Sequence, residues 1–306
     1  FTPEPWQVEG QSEGAADVRA AATAVEVSQA KLTVSNLRVT GVGWSITEPR
    51  VEIAGDLAWN GANGELLSRT AQLVSSSMSV ATQDVRLRSD GQSPAQLNGA
   101  AAFRADLSRI ASWKISATQP PPYQARGMVS GNVRFAQQAD RITGELNATG
   151  ESLSLAQRAT SGANQAAYQT IWQEPQVAVR GTTHYDTSID RLSFEQLQVQ
   201  SNTLQAAANG EINRLTTTAD TKAAGTINYD LAQITPLLQP YVGDGIQLVG
   251  RETAQFQLAG SFADPAAHWS RTVQAKFEAP WSSANVYGLP VGSGRIAGEL
   301  GNGLVR

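Results

Sequence analysis

Along most of the chain, apolar and polar residues alternate with a period of two, the spacing that puts one kind of side chain on each face of a β-strand. The run VEVSQAKLTVSNLRV, from Val25, predicts a strand, and two further strands are expected around WSITEPRVEIAGDLAW, punctuated by Gly41, Gly43 and Pro49. NGANG at 60–64 predicts a hairpin turn, because Asn-Gly suits positive φ. Short strands then run through 66–103 with turns such as SDGQSP at 89–94. Two stretches break the alternation. DLSRIASW (106–113) and DLAQITPLLQPYV (230–242) each predict a short helix, N-capped by Asp106 and Asp230. PPP at 120–122 ends the first, and Pro236 and Pro240 keep the second short. The Ala-rich GAADVRAAATA at 14–24 reads as a short helix or turn, and SGANQAAYQTIW at 161–172 as a loop or a single helical turn.

The pattern repeats. EPRVEIAGDLAW (48–59) returns as EPQVAVRGTTHY (174–185), 126 positions later without a gap. The same register lays Leu66 over Leu192 and Leu73 over Val199. FRADLSRI (103–110) matches INYDLAQI (227–234), and GMVSGNVRFA (127–136) matches GRETAQFQLA (250–259), at slightly shorter spacing. Self-similarity at a fixed period marks a repeat architecture. We therefore expect an opening segment with the first strands at 1–47 and repeat units at 48–173 and 174–299. The start of a cut-off strand follows at 300–306. Each unit reads as several antiparallel strands with one short helix.

Five strand segments carry paired apolar residues on one face: Val51 and Ile53, Val133 and Phe135, Val177 and Val179, Leu192 and Phe194, Phe256 and Leu258. Their neighbours Glu52, Arg134, Ser193 and Gln257 point the other way. Such faces either close against each other as a β-sandwich or line an open trough, and alternation leaves both readings standing.

Composition narrows the function. Charged residues are 16% of the chain and the net charge is −4, so there is no basic excess of the kind nucleic acid attracts. Zero Cys excludes disulfides and thiolate chemistry. No stretch reaches the roughly 18 apolar residues of a membrane helix. Phe1 and the strand-like final GRIAGELGNGLVR suggest a piece of a longer protein, with any anchor or targeting segment outside it. His184 and His268 have no His counterpart in the other repeat, which argues against a metal or catalytic role. Asp106/Asp230 and Glu48/Glu174 recur, and the first pair is explained by capping. GSGRIAG (292–298) has the glycine spacing of a nucleotide loop, but RIAGEL alternates as a strand where that loop needs a helix. The Asn147-Ala-Thr149 sequon carries no further meaning here. No catalytic motif stands in the sequence, so neither an enzyme nor a cofactor is expected.

The Gly-punctuated amphipathic strands, the DL-x-x-I segments at 106–110 and 230–234, GRETAQFQLAG (250–260) and ANVYGLPVGSGRIAGELGNGLVR (284–306) together resemble the AsmA-like, repeating β-groove family related to TamB and YhdP. The resemblance covers about residues 25–306. It implies a mainly β fold: an elongated antiparallel sheet curled into an apolar groove, a β-taco. It also implies a periplasmic protein anchored at the inner membrane and conducting phospholipid or another acyl-chain lipid toward the outer membrane. On that reading the ten paired apolar residues are the lipid-contacting candidates. With roughly 20 strands spaced about 4.8 Å apart, such a groove would reach ~90 Å. The rival expectation is a structural or adhesive array of β-sandwich units on the cell surface.

Overall fold

The computed structural model describes residues 6–41, 44–89, 96–113, 123–158, 168–235, 243, 245–261, 272–301 and 304–305. Among them are nineteen strands, one six-residue α-helix and a helical turn at 231–235. The turn at 90–94, the proline run at 120–122, Pro236, Pro240 and His268 lie outside the described residues.

The chain divides into two units, Phe1–Ala139 with Asn147–Pro175, and Asp140–Leu146 with Gln176–Arg306. In the first, β1 (Gln7–Ala21), β2 (Ala24–Gly41), β3 (Trp44–Asn60), β4 (Glu65–Ser75), β5 (Met78–Arg88), β6 (Gln96–Asp106) and β7 (Tyr123–Gln138) follow in order. Each pairs antiparallel with the next. α1 (Leu107–Ser112) lies between β6 and β7. The strands β8 (Arg141–Arg158) and β9 (Tyr168–Asp186) contribute residues to both units. The second continues with β10 (Arg191–Ser201), β11 (Leu204–Asn213) and β12 (Asp220–Asp230), then β13 (Ile246–Val249), β14 (Arg251–Ser261) and β15 (Val273–Trp281). It ends with β16 (Ser283–Val286), β17 (Leu289–Val291), β18 (Gly294–Gly301) and β19 (Leu304–Val305). Here β12 pairs with β14, and β15 with β18, while β13, β16 and β17 form a separate three-stranded sheet.

The repeat is visible in the ladders. Val51 faces Ser75, Ile53 faces Leu73 and Trp59 faces Leu66. At the same offset Val177 faces Ser201, Val179 faces Val199 and Tyr185 faces Leu192. Phe103 faces Gly131 in one unit as Ile227 faces Ala254 in the other. The NGANG hairpin forms, as a longer loop: β3 ends at Asn60, β4 begins at Glu65, and Gly64 takes φ 63°.

Three sequence expectations change. Residues 14–21 are strand, not helix: Gly14 pairs with Leu32 and Ala15 with Lys31, so sheet pairing outweighs a helix propensity worth only tenths of a kcal/mol per residue. Tyr168–Trp172 begin β9 rather than forming a helical turn. WSITEPRVEIAGDLAW lies within one 17-residue strand, Trp44–Asn60, because Pro49 falls where it costs no ladder bond to β4. That neighbour stops at Ser75, opposite Val51.

Both predicted caps form. Asp106 accepts from Ser108 N at 2.9 Å and Arg109 N at 3.3 Å, and Asp230 accepts from Ala232 N at 3.0 Å. The Ser108 hydroxyl, more than the backbone N–H groups, holds the Asp106 carboxyl below its usual range. A depressed carboxylate stabilises the fold above the unfolded-state value and loses that contribution as pH falls through the folded one. Asp106→Ala and Asp230→Ala are each expected to cost roughly 1 kcal/mol near neutral pH. For Asp106→Ala, melting curves against pH should begin to approach those of the wild type as pH falls below ~4 and meet them only beneath the lowered folded-state value.

Candidate functional site: an uncovered apolar face

Residues facing each other across an antiparallel ladder share a face, as do residues two apart along a strand. These rules assign the faces. In the first unit Leu32, Ile53, Leu73, Val80, Phe103 and Gly131 form one continuous row from β2 to β7. The next row runs Gly55, Ala71, Thr82, Ala101, Val133. Val51, Ile53, Val133 and Phe135 therefore sit on one face. In the second unit Val179, Val199, Ala206, Ile227 and Ala254 form a row, and Phe194, Gly210, Ala223 and Leu258 another. Val177, Val179, Leu192, Phe194, Phe256 and Leu258 share that unit's apolar face. The reverse face carries Glu52, Arg104, Arg134, Lys222 and Lys276, with exposed pairs such as Lys276–Glu299 (3.6 Å) that add little stability.

Among the described residues, much of the apolar face stays exposed in both units. Val51 is buried, but Ile53 is 40% exposed, Leu57 40%, Trp59 45% and Phe277 39%. Among the described residues, the one further sheet is β13–β16–β17. Its Leu248 packs with Ile234 of the helical turn onto Tyr229, Leu231 and Ala254 at one end of the second unit. There the Tyr229 hydroxyl donates to Pro280 O at 2.7 Å. Shallow depressions exist on both faces. One of about 550 Å³ is lined by Val27, Leu32, Ile53 and Leu57 among others, and one of about 780 Å³ by Lys31, Gln72, Asn132 and Arg134 among others. The chemistry of the face, rather than any enclosed cavity, distinguishes the apolar side.

The ladder also reveals an arrangement that alternation does not. Phe103 stands opposite Gly131, Phe135 opposite Gly99, Phe194 opposite Gly210, Phe256 opposite Gly225, Phe277 opposite Gly298 and Trp281 opposite Gly294. In every pair the ring comes within 3.2 Å of where a Cβ on the glycine would sit, and at Gly210, Gly294 and Gly298 within 2.5 Å. Aromatic cover of a cross-strand glycine shields backbone and lays the ring along the sheet. At Gly298 the nearest atoms to a Cβ all belong to the Phe277 ring. Gly298→Val is therefore expected to cost about 1–3 kcal/mol by displacing that ring. Phe277→Ala in the same chain should recover most of the loss in a thermal melt, a coupling that separate contributions would not give.

Sequence reasoning missed Leu32, Leu57, Trp59, Leu73, Val80, Phe103 and Phe277 on this face. Alternation in β2 and β5 was the available signal for Leu32 and Val80; the glycine partners needed the register. Of the polar candidates, His184 Nδ1 lies 3.1 Å from Thr143 Oγ1, an ordinary side-chain hydrogen bond. Glu48 and Glu174 are the most buried acids, at 2% and 1% exposure. Glu48 Oε2 accepts from Ser76 N (3.1 Å) and Ser76 Oγ (2.6 Å), which ties the β4–β5 turn to β3. Gly294–Gly301 is strand, as the rejection of a nucleotide loop requires. No helix among the described residues is long and apolar enough to cross a membrane.

Comparison with family models, with curated proteins and with solved structures finds no match to this chain.

Proposed function

We propose that the apolar face is a lipid-contacting surface. On this reading the chain is a segment of an AsmA-like β-groove protein that binds or conducts phospholipid, or another acyl-chain lipid, across the periplasm between the inner and outer membranes. The observation that carries the reading is the continuity of apolar rows across consecutive strands whose side chains stay half-exposed. A sandwich, as an adhesive or structural array would use, buries such faces under a second sheet. Moving a sixteen-carbon chain into water costs on the order of 12 kcal/mol, at about 0.8 per CH₂. A surface of aligned Ile, Leu, Val and Phe removes most of that cost at each step. Rings lying along the sheet let an acyl chain pass without meeting deep pockets that would hold it. In this proposal the sheet curls so that its apolar face is the interior, and the face does no covalent chemistry.

The test is lipid capture. The chain is purified from cells with photo-reactive side chains placed singly at Phe135, at Phe256 and, as a control on the polar face, at Arg134. Adducts are then identified by mass spectrometry. Phospholipid adducts at Phe135 and Phe256 but not at Arg134 are expected. Equal labelling of both faces, or none, removes the proposal.

A further inference from the structure

The strand β1 forms one edge of the first unit's sheet, and the structure contains an internal template for what belongs beside it. Gly10 and Gly14 of β1 correspond to Gly127 and Gly131 of β7. Gly10 and Gly127 both take positive φ, 153° and 120°. A Cβ on Gly14 would meet Lys31 O, and one on Gly131 would meet Asn147 O. In the partner strands Asn36 and Ser152 occupy the left-handed region at φ 54° and 51°, at matching positions. The β1–β2 pair is thus a further copy of the β7–β8 arrangement. Every copy but the first has a strand on the other side: β7 pairs with β6, and β14 pairs with β12. All fifteen residues of β1 are exposed.

We infer that β1 is an acceptor edge for an added antiparallel strand of the β6 type, supplied by an amphipathic extended segment that sets a basic residue opposite Glu13. The register follows from the copies. Gly131 faces Phe103, Ser130 faces Arg104 and Val133 faces Ala101. Transposed to β1, a large apolar residue faces Gly14, its C-terminal neighbour faces Glu13, and the residue two before it faces Ala16. The charges agree with this. Glu9, Glu13, Asp17 and Arg19 occupy the alternate set of β1 positions, with Val8, Gly10, Ser12, Gly14, Ala16 and Val18 on the apolar one. The acids therefore leave the apolar side clear, and a basic residue in the place of Arg104 meets Glu13. Strand addition of this kind draws affinity from main-chain hydrogen bonds and specificity from alternate side chains. This inference concerns the sheet edge and stands whether or not the face carries lipid.

The chain has no Cys, so Ala16→Cys gives a single thiol. The probe is a synthetic peptide with the sequence of residues 96–106, carrying Ala101→Cys, equilibrated with the full chain in a glutathione buffer. The mixed disulfide is expected to form at least about fivefold more with this peptide than with peptides carrying the thiol at position 99 or 100, which shift the register or reverse the face. N-methylation along one edge of the peptide should abolish trapping, and along the other should leave it. Glu13→Lys should weaken trapping severalfold, and Arg104→Glu in the peptide should restore it. Trapping indifferent to thiol position or to N-methylation overturns the inference. So does no trapping at all. A disulfide-linked dimer of the Ala16→Cys chain that the peptide does not displace also overturns it, and would make a second copy the occupant.

Discussion

Phe135→Asp and Leu258→Asp are expected to leave the chain folded while removing acyl-chain contact. Each side chain lies on an uncovered face, so a carboxylate there can reach water in the lipid-free protein. The cost to stability is then the loss of packing on neighbours such as Gly99 and Val85, which we expect at about 1–2 kcal/mol rather than the 4 or more of a severe core defect. With lipid present the balance reverses. An acyl chain laid over residue 135 would bury the carboxylate without a partner, at several kcal/mol, which corresponds to a loss of at least about a hundredfold in local occupancy. Two measurements decide the matter: thermal melting, and photo-crosslinking to lipid from a probe at Val133 for Phe135→Asp and at Phe256 for Leu258→Asp. A folded mutant with little lipid supports the open face. An unfolded mutant, together with a wild-type probe that captures no lipid, would mean that these positions belong to a closed core.

Much of the fold was legible because alternation is itself the record of one-sided burial. β2, β7 and β14 could be read directly, and the EP segments announced that β3 and β9 are copies. β1 was not legible. Its apolar positions hold Val8, Gly10, Ser12, Gly14 and Ala16, too small to show a hydrophobic period, while its Ala content imitates a helix. The further copy formed by β1 and β2 escaped for a related reason. Gly10 and Gly127 are 117 positions apart, not 126, because the connection before β9 is longer than that before β3. The ten paired apolar residues could be chosen from periodicity alone, but the Gly–aromatic pairs could not. Gly210 and Phe194 are far apart in sequence, and only the β10–β11 register sets them face to face. The β4–β5 turn shows the same limit. Glu48 could be seen to recur as Glu174, yet nothing local says that it reaches 28 residues ahead to Ser76.

That contact leads to a second large effect. Glu48→Ala is expected to cost about 2 kcal/mol, and Glu48→Gln to stay within about 1 kcal/mol of the wild type. The reason lies in how the turn is held. Ser75 Oγ accepts from Ser77 N and Met78 N, both at 3.2 Å, and so closes the β4–β5 turn on itself. Ser77 O accepts from Asp106 N at 2.8 Å, which joins the turn to the helix cap. Glu48 supplies the third attachment, from β3, through one carboxylate oxygen bonded to both Ser76 N and Ser76 Oγ. Its other oxygen, Oε1, is buried and has no hydrogen bond among the described residues. Removing the side chain releases the turn and leaves a small cavity. An amide keeps one oxygen for Ser76 and replaces the unbonded one with NH₂, and it removes the cost of burying charge. The β10–β11 turn closes on itself in the same way, with Ser201 Oγ accepting from Thr203 N (3.3 Å) and Leu204 N (3.2 Å), and Glu174, the counterpart of Glu48 in the sequence repeat, is likewise buried. Chemical denaturation of Glu48→Ala, Glu48→Gln and the corresponding Glu174 variants checks the prediction. An alanine variant as stable as the wild type would show that the turn holds without the carboxylate. A glutamine variant as damaged as alanine would show that the negative charge itself is required, which would point to a cationic partner at this position.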